Sequence, residues 1–468
     1  MIELRSAPKW QNGILPRAVA PADTYRRIQP LMQVVGITHL IELTDLDILG
    51  IPICAAFGPL REEADLRRFA SQALAGDEKK VEKLLARVEV FHQDNAAPGK
   101  SFLSSAGKGL SPLDAKMSAM MEAIEKFSAR CPTETPIMGS YREMRNRGDA
   151  EVVDPLKLTL LSPAAYSHDQ KLEWVIGTDL SAGEEVWVPA DAATLSYQPR
   201  QVDRVCSDTP TGLGAGNSLE EAICHGLAEA IEHDAWTLAV ARSSIKSAQK
   251  GIQEILFGEF DEGIVEADSP ANDPFTSLDL DSLDGVVPAA GLLNRIHQVG
   301  AQVGIQDITS DIGIPTFSVS ISALPGGPEG GGLGAHPNAL LALSRALTEA
   351  AQQRLVLGLG GDTSRISSPT KWRWTPWDRR RTIMEKQGDR CFAEVLSHIH
   401  LDILEDIQYM MEALAIRGLE QVIAVDLTKP EINIPVVKVI VPELADFWTS
   451  DAPPQWEALG PRVMKYLI

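Results

Sequence analysis

Polar side chains with carboxylates among them recur at four- and three-residue steps in three separate stretches of this chain. In SPLDAKMSAMMEAIEKFSAR (111–130) they are Glu122 and Glu125, preceded by Ser118. In NSLEEAICHGLAEAIEHDAW (217–236) Asn217, Glu221, His225, Glu229 and Glu232 form the stripe, and in NALLALSRALTEAAQQR (338–354) Arg345, Glu349 and Gln352 do. At ~100° per residue each set occupies one helical face. Met117, Met121, Ile124 and Phe127 lie opposite the first, Ile223, Leu227, Ala230 and Ile231 opposite the second, and Leu343, Leu347 and Ala351 opposite the third. Like charges at these spacings cost an isolated helix roughly 0.2–0.5 kcal/mol per pair. A hard dication such as Mg²⁺, which prefers carboxylate and phosphate oxygens, reverses that sign. A solvated helix face explains any one stripe; three in one chain favour a shared cation.

The elements needed to hold these faces are also legible. Ser111 is placed to cap the first helix with Pro112 at its first position, and Ser218 with Glu221 forms a capping box for the second. Glycine-rich runs precede all three helices, at 104–112, 209–218 and 325–337. Backbone N–H groups of such loops can receive phosphate, so nucleotide binding is expected there. No standard phosphate loop accounts for them: Phe102 and Gly109 stand where a Walker A loop needs Gly and Ser or Thr, and GLGAGN is not GxGxxG. A nucleotide would be held by carboxylates and metal. A di-iron carboxylate site is disfavoured, because no Glu-x-x-His follows Glu122 or Glu349. Three further runs resemble one another: ELTDLDILGIPICAAF (42–57), DITSDIGIPTFSVSI (307–321) and DLTKPEINIPVVKVIV (426–441). Each has an acid, an aliphatic residue, Thr, a short turn, Ile-Pro and a β-branched run, which predicts three comparable strand pairs.

The chain has 468 residues, 44 % hydrophobic and 23 % charged, with a net charge of −21. That balance excludes general nucleic-acid or membrane-surface binding, both of which need a basic footprint. No run of 18 apolar residues and no signal-peptide core occurs. Cys54, Cys131, Cys206, Cys224 and Cys391 form no CxxC pair, which suits a reducing, cytoplasmic setting, and Cys224 beside the acidic stripe reads as a core thiol. Residues 78–91 predict a helix running into a strand, and 92–100 a turn-rich join. The acidic stretch 259–284 reads as a solvated surface loop. The basic, aromatic run GLGGDTSRISSPTKWRWTPWDRRR (358–381) reads as a loop packing its tryptophans on the body, or as a contact surface for a peptide or partner protein.

Taken together, SAGKGLSPLDAKMSAMMEAIEKFSAR, TPTGLGAGNSLEEAICHGLAEAIEHDAW and GLGAHPNALLALSRALTEAAQQR closely resemble the three ATP-site segments of the YcaO family, in order. The T-x-LD-x-x-GIP element near 44 and the DLT-x-x-x-x-x-IP strand near 426 extend the likeness over about residues 30–442. The resemblance implies an α+β fold with mixed sheets packed by helices and an ATP site between the acidic helices. It divides the chain into an N-terminal α/β part (1–98), a core with the ATP and Mg²⁺ segments (99–360) and a C-terminal α/β part (361–468). It further implies Mg²⁺ held by Glu122, Glu125, Glu221, Glu229, Glu232 and Glu349, and ATP held by Lys108, Ser118, Asn217, Arg345 and Gln352. Two positions depart from the family pattern, Lys126 and His233, where Arg is usual.

Membership would mean ATP-dependent activation of a backbone amide in a peptide or protein. After a nucleophile adds to the carbonyl, transfer of the γ-phosphoryl to its oxygen makes phosphate the group expelled. Internal Cys, Ser or Thr gives an azoline, an amine an amidine, and sulfide a thioamide. The tail GPRVMKYLI lacks the P-x-P-x-P pattern usual in azoline-forming relatives, which favours thioamide formation with a TfuA-like or sulfur-delivery partner. No leader-binding domain fits before residue 100, so a separate partner is expected to deliver substrate or sulfur, and a homodimer is expected. Residues acting directly on the reacting atoms are unassigned, with His225 and His233 open as proton shuttles. A nucleotide-binding adaptor without catalysis is the alternative of another class.

Overall fold

A computed structural model describes residues 1–10, 16–58, 67, 70–71, 77–90, 103–195, 197, 199, 202–207, 209–257, 276–322, 328–358, 388, 390–446 and 462–463, with their side chains except at 80, 103–104 and 243–257. Strands β1 (His39–Glu42), β2 (Ile53–Phe57), β3 (Val88–Val90) and β4 (Leu103–Lys108) form one sheet in the order β3-β1-β2-β4. A seven-stranded sheet takes β5 (Ile137–Ser140), β6 (Glu151–Val152), β7 (Lys171–Asp179), β8 (Glu184–Pro189), β9 (Leu213–Ala215), β14 (Ile423–Asp426) and β15 (Val436–Ile440). The third sheet is β10 (Thr276–Ser277), β11 (Val303–Asp307), β12 (Thr316–Ile321) and β13 (Gly330–Ala335). Strands β6 and β8 pair in parallel and the other named pairs are antiparallel, so the architecture is mixed α+β. The helices are α1 (Pro21–Ile28), α2 (Glu78–Leu85), α3 (Pro112–Ser128), α4 (Tyr141–Arg147), α5 (Ala190–Ala193), α6 (Leu219–Phe257), α7 (Ala289–Gln298), α8 (Ala339–Gly358) and α9 (Ile403–Ile416).

The three predicted strand pairs are present as antiparallel β1–β2, β11–β12 and β14–β15, and they share one turn. Thr44, Thr309 and Thr428 each accept, on the hydroxyl, the N–H of the residue that opens the second strand: Ile53 at 3.4 Å, Thr316 at 3.1 Å and Val436 at 3.1 Å. The proline just before that residue has no N–H to satisfy, and its carbonyl is used instead. Pro52, Pro315 and Pro435 accept from the N–H groups of Gly109, His336 and Gly216 at 3.2, 3.2 and 3.1 Å. A third strand then joins each hairpin, β4 on β2, β13 on β12 and β9 on β15, and leads into the helix that covers it: α3, α8 and α6. The fold thus repeats one hairpin, strand and helix unit three times, and in the third the strand and helix precede the hairpin in sequence.

Within the glycine-rich runs, residues 104–108, 213–215 and 330–335 belong to these third strands, which corrects the expected flexible loop at those positions. A Cβ on Gly107 would sit 2.1 Å from the Ala115 carbonyl, one on Gly214 2.2 Å from that of Ala222, and one on Gly332 2.2 Å from that of Ala346. Glycine is needed because each helix lies with its backbone directly against its strand. Ser111 caps α3 by accepting from Asp114 N at 3.2 Å, as its sequence position predicts. Under α3, Ala115, Ala119, Met120, Ala123 and Ile124 are buried, while Ile223, Leu227 and Ile231 of α6 and Leu343, Leu347 and Ala351 of α8 fill two other cores.

Helix α2 running into β3 matches the expectation for 78–91. The acidic stretch differs where it is described: residues 276–284 form β10 and a 3-10 turn that bury Leu278 and Leu283, whereas 258–275 lie outside the described residues. The join at 92–100 and residues 359–381 of the basic, aromatic run lie outside them too.

Candidate nucleotide and metal site

The repeat puts the three acidic stripes in register. Nine residues on from Gly109, Gly216 and His336 stand Ser118, His225 and Arg345; one turn further Glu122, Glu229 and Glu349; and another turn on Glu125, Glu232 and Gln352. Each helix reaches the strand of the next unit with its last member. Glu125 Oε1 accepts the Ala215 N–H of β9 at 2.9 Å, and Glu232 Oε2 accepts the Ala335 N–H of β13 at 3.0 Å. Gln352 donates from Nε2 to the Ala106 carbonyl of β4, closing the ring. The partner on β4 is an acceptor, so an amide stands where the other two helices have carboxylates.

Within this ring charge is unevenly matched. Lys108 Nζ is 2.6 Å from Glu349 Oε2, and Lys126 Nζ is 2.6 Å from Glu122 Oε1. Burial, then the charges of Glu229 and Glu122, push the Glu125 carboxyl well above its ordinary range. Asn217 donates from Nδ2 to both Glu221 oxygens, at 3.2 and 3.1 Å, and its buried Oδ1 has no hydrogen-bond partner among the described residues. Burial raises the Glu221 carboxyl, opposed by Asn217 and Arg17. Burial, then the positive charges of Arg345, Lys108 and Arg17, lower His225 to about 3, so its imidazole is neutral at pH 7. Crowded carboxylates, an orphaned amide oxygen and three converging cations fit an oxygen-seeking dication and a polyanion.

Arg17 was not legible as a site residue. It lies in the segment ahead of α1, with no periodic pattern to mark it, yet Nη1 donates to Met117 Sδ at 3.2 Å and Nη2 is 3.8 Å from Asp114 Oδ1. Next to it, Ala18 N donates to Glu221 Oε2 at 3.4 Å. The two departures from the family pattern differ in placement. Lys126 stays on the acidic face against Glu122. His233 is buried, with Nδ1 3.0 Å from Thr211 Oγ1 and 3.2 Å from Asp446 Oδ1, and Nε2 3.9 Å from Glu229 Oε1.

Cys224 is a core thiol as expected, 3 % exposed and raised by burial. Its sulfur and ligating atoms of His336 and Asp406 lie within 4.8 Å of one another, but the surroundings oppose a metal. The Lys9 ammonium is 2.5 Å from Asp406 Oδ2. His336 Nδ1 accepts from Asn338 N at 2.9 Å, so the neutral ring carries its proton on Nε2, the atom 3.6 Å from Asp406 Oδ2.

Residues 106–445 match the family model described as YcaO cyclodehydratase, ATP- and Mg²⁺-binding. An uncharacterized protein of Methanothermobacter thermautotrophicus is 31 % identical over 448 residues, covering 92 % of this chain and 96 % of that one. A second, from Rhizobium leguminosarum bv. trifolii and named for its place in the tfuA 3′ region, is 28 % identical over 442 residues, covering 92 % and 88 %. Among solved structures, a heterocyclase in complex with substrate and cofactor superposes with a TM-score of 0.67 at 21 % identity; 96 % of this chain is covered but only 55 % of that one. The YcaO protein of Methanopyrus kandleri, bound with AMPPCP and Mg²⁺, gives a TM-score of 0.61 at 22 % identity, with 96 % and 99 % covered. At these identities the structural likeness is one of fold, and it agrees with the mixed α+β architecture. The family match spans most of the chain and includes all three stripes, and on that ground this protein is a member of the YcaO family of ATP- and Mg²⁺-binding, cyclodehydratase-like enzymes.

Proposed function

We propose that the protein uses ATP to activate a backbone amide of a peptide or protein and replaces the amide oxygen with sulfur from external sulfide, giving a thioamide. The observation that carries the nucleotide part is the closed ring in which Glu125, Glu232 and Gln352 bind the strand of the next unit. That ring ties three helices from distant parts of the chain to one another's strands, and the charges of Glu229 and Glu122 act on Glu125 within it. In this reading Glu122, Glu125, Glu221, Glu229, Glu232 and Glu349 hold Mg²⁺, which neutralises phosphate charge when bound. Lys108, Ser118, Asn217, Arg345 and Gln352 hold the nucleotide, and Arg17 joins them. The three sequence parts, 1–98, 99–360 and 361–468, act as one catalytic unit.

The thioamide outcome draws support from the relative in a tfuA region; a TfuA-like or sulfur-delivery protein is the partner proposed, with a homodimer as the working assembly. No described helix is long and apolar enough to cross a membrane, and all five cysteines are free, in keeping with a cytoplasmic setting. The test is purified protein with ATP, Mg²⁺, sulfide and a peptide encoded beside its gene. Phosphate release in step with a gain of about 16 Da supports the proposal. Loss of about 18 Da without need for sulfide assigns an azoline or an internal amidine instead, and ATP binding with an unchanged peptide assigns a non-catalytic adaptor.

A further inference from the structure

Each closure of the ring has a second contact beside it. Two residues past Gln352, Arg354 of α8 pairs through Nη1 with Asp47 in the turn of the first hairpin, and both side chains are buried. Beyond the end of α3, the Cys131 and Pro132 carbonyls accept from Nζ of Lys429, in the turn of the third hairpin, at 2.8 and 3.4 Å. In both cases the turn belongs to the unit whose strand that helix binds with its stripe. A cation on one side and oxygen on the other hold the joint.

The remaining joint departs from this pattern. Two residues past Glu232, where α8 has Arg354, α6 has Asp234, and the turn of the second hairpin offers another acid, Asp311. The cation comes from outside the repeat. Arg462 donates from Nε to Asp234 Oδ1 and Oδ2 at 3.0 and 3.1 Å, and from Nη2 to Asp311 Oδ1. Asp234 and Arg462 are both buried, and the Ala445 N–H also donates to Asp234 Oδ1, at 2.9 Å. Val463, next in sequence, clusters with Leu238 and Ala241 further along α6.

Without the guanidinium, two carboxylates would share the joint, one of them buried with no counter-charge, which is strongly destabilising. Glu232 stands two residues before Asp234 and holds the Ala335 N–H of the same second unit at 3.0 Å. We infer that Arg462 is a positioning residue for the metal site: by bridging Asp234 and Asp311 it fixes α6 against the second unit and sets the Glu232 carboxylate where it meets Mg²⁺. The inference rests on the reading of Glu232 as a Mg²⁺ ligand. Packing alone would need no guanidinium fork matched to two acids.

The test uses full-length protein and a non-hydrolysable ATP analogue, with binding read by calorimetry over a range of Mg²⁺ concentrations. Arg462→Met should raise the Mg²⁺ concentration required about tenfold, as for a lost partner behind a metal ligand, and leave affinity at saturating Mg²⁺ near wild type. Adding Asp234→Asn removes the unmatched charge and keeps an acceptor for Ala445, so the double variant should regain the wild-type requirement. Hydrogen exchange at the Ala335 amide should quicken in Arg462→Met and slow again in the double variant, while the Ala215 amide, held by Glu125, stays protected. An unchanged Mg²⁺ requirement in folded Arg462→Met overturns the inference, as does a double variant that recovers nothing. If Arg462→Met does not fold, the double variant is compared with wild type directly, and its failure to fold also overturns the inference by making Arg462 structural only. If wild-type protein binds no analogue at any Mg²⁺ concentration, the metal-site reading falls, and exchange at Ala335 still decides whether Arg462 holds Glu232 in place.

Discussion

Lys108 Nζ stands 2.6 Å from Glu349 Oε2, joining the end of β4 to the middle of α8 across 241 residues. Both side chains are about a quarter exposed, so the pair can exchange partners. In the proposed site a triphosphate and its dication would take the two groups separately. An exposed ion pair contributes only about 0–1 kcal/mol, so its loss should hardly affect folding. Lys108→Ala is expected to raise the KM for ATP about tenfold or more, roughly 1.4 kcal/mol, with an unchanged melting temperature. An ATP titration of phosphate release reads it, and an unaltered KM would remove Lys108 from the nucleotide site.

Glu232 separates binding chemistry from structure. Its side chain is 5 % exposed and Oε2 accepts the Ala335 N–H at 3.0 Å. Glu232→Gln keeps an acceptor there but removes the charge, so the fold should persist while turnover falls by about 100-fold or more. Glu232→Ala also leaves the buried N–H unpaired, at a cost of roughly 1–3 kcal/mol. The contrast is read by thermal melts alongside phosphate release. Wild-type rates in the Gln variant would contradict the metal assignment.

Glu125 predicts a pH dependence. Its folded carboxyl titrates well above the ordinary 4.5 because of burial and the charges of Glu229 and Glu122. The folded state therefore holds this proton where the unfolded chain has lost it. Its stabilising effect is complete below the ordinary value and disappears as pH rises through the elevated one. Glu125→Gln retains the Oε1 acceptor for Ala215, so at pH 8 without metal it should melt about 1–2 °C above wild type, roughly 1 kcal/mol. The two should converge near pH 4, and Mg²⁺ with ATP should stabilise wild type more than the variant. Parallel pH profiles in scanning calorimetry would refute the assignment.

The acidic helices and the three hairpins were legible because both obey short periods: 3.6 residues for Glu122 and Glu125 against Met117 and Ile124, and the repeated Thr to Ile-Pro spacing at Thr44, Thr309 and Thr428. Closure of the ring was not legible, because it depends on which strand each helix meets. The bond from Glu125 to Ala215 spans 90 residues and that from Glu232 to Ala335 spans 103. Arg17 was missed for the same reason, being placed by the contact of Ala18 with Glu221, 203 residues away. Gly107, Gly214 and Gly332 were misread as loop residues because a strand pressed on a helix and a flexible turn use the same residue type.

That last distinction can be tested directly. Gly332 lies in β13 under α8, and a Cβ there would come 2.2 Å from the Ala346 carbonyl and 2.4 Å from the Ala350 nitrogen. Both are backbone atoms, so no side chain can move aside, and strand and helix would have to separate. Gly332→Ala should therefore destabilise by about 3 kcal/mol or more, beyond the usual cost of one added methyl in a packed core. Gly291 is the control: it is exposed on α7, with nothing within 4 Å of an added Cβ, and Gly291→Ala should stabilise by up to about 1 kcal/mol through helix propensity. A flexible phosphate loop at 330–335 would give the reverse pattern at Gly332, with nucleotide affinity impaired and melting temperature preserved. Denaturant melts of both variants, with nucleotide titrations of each, decide between the two.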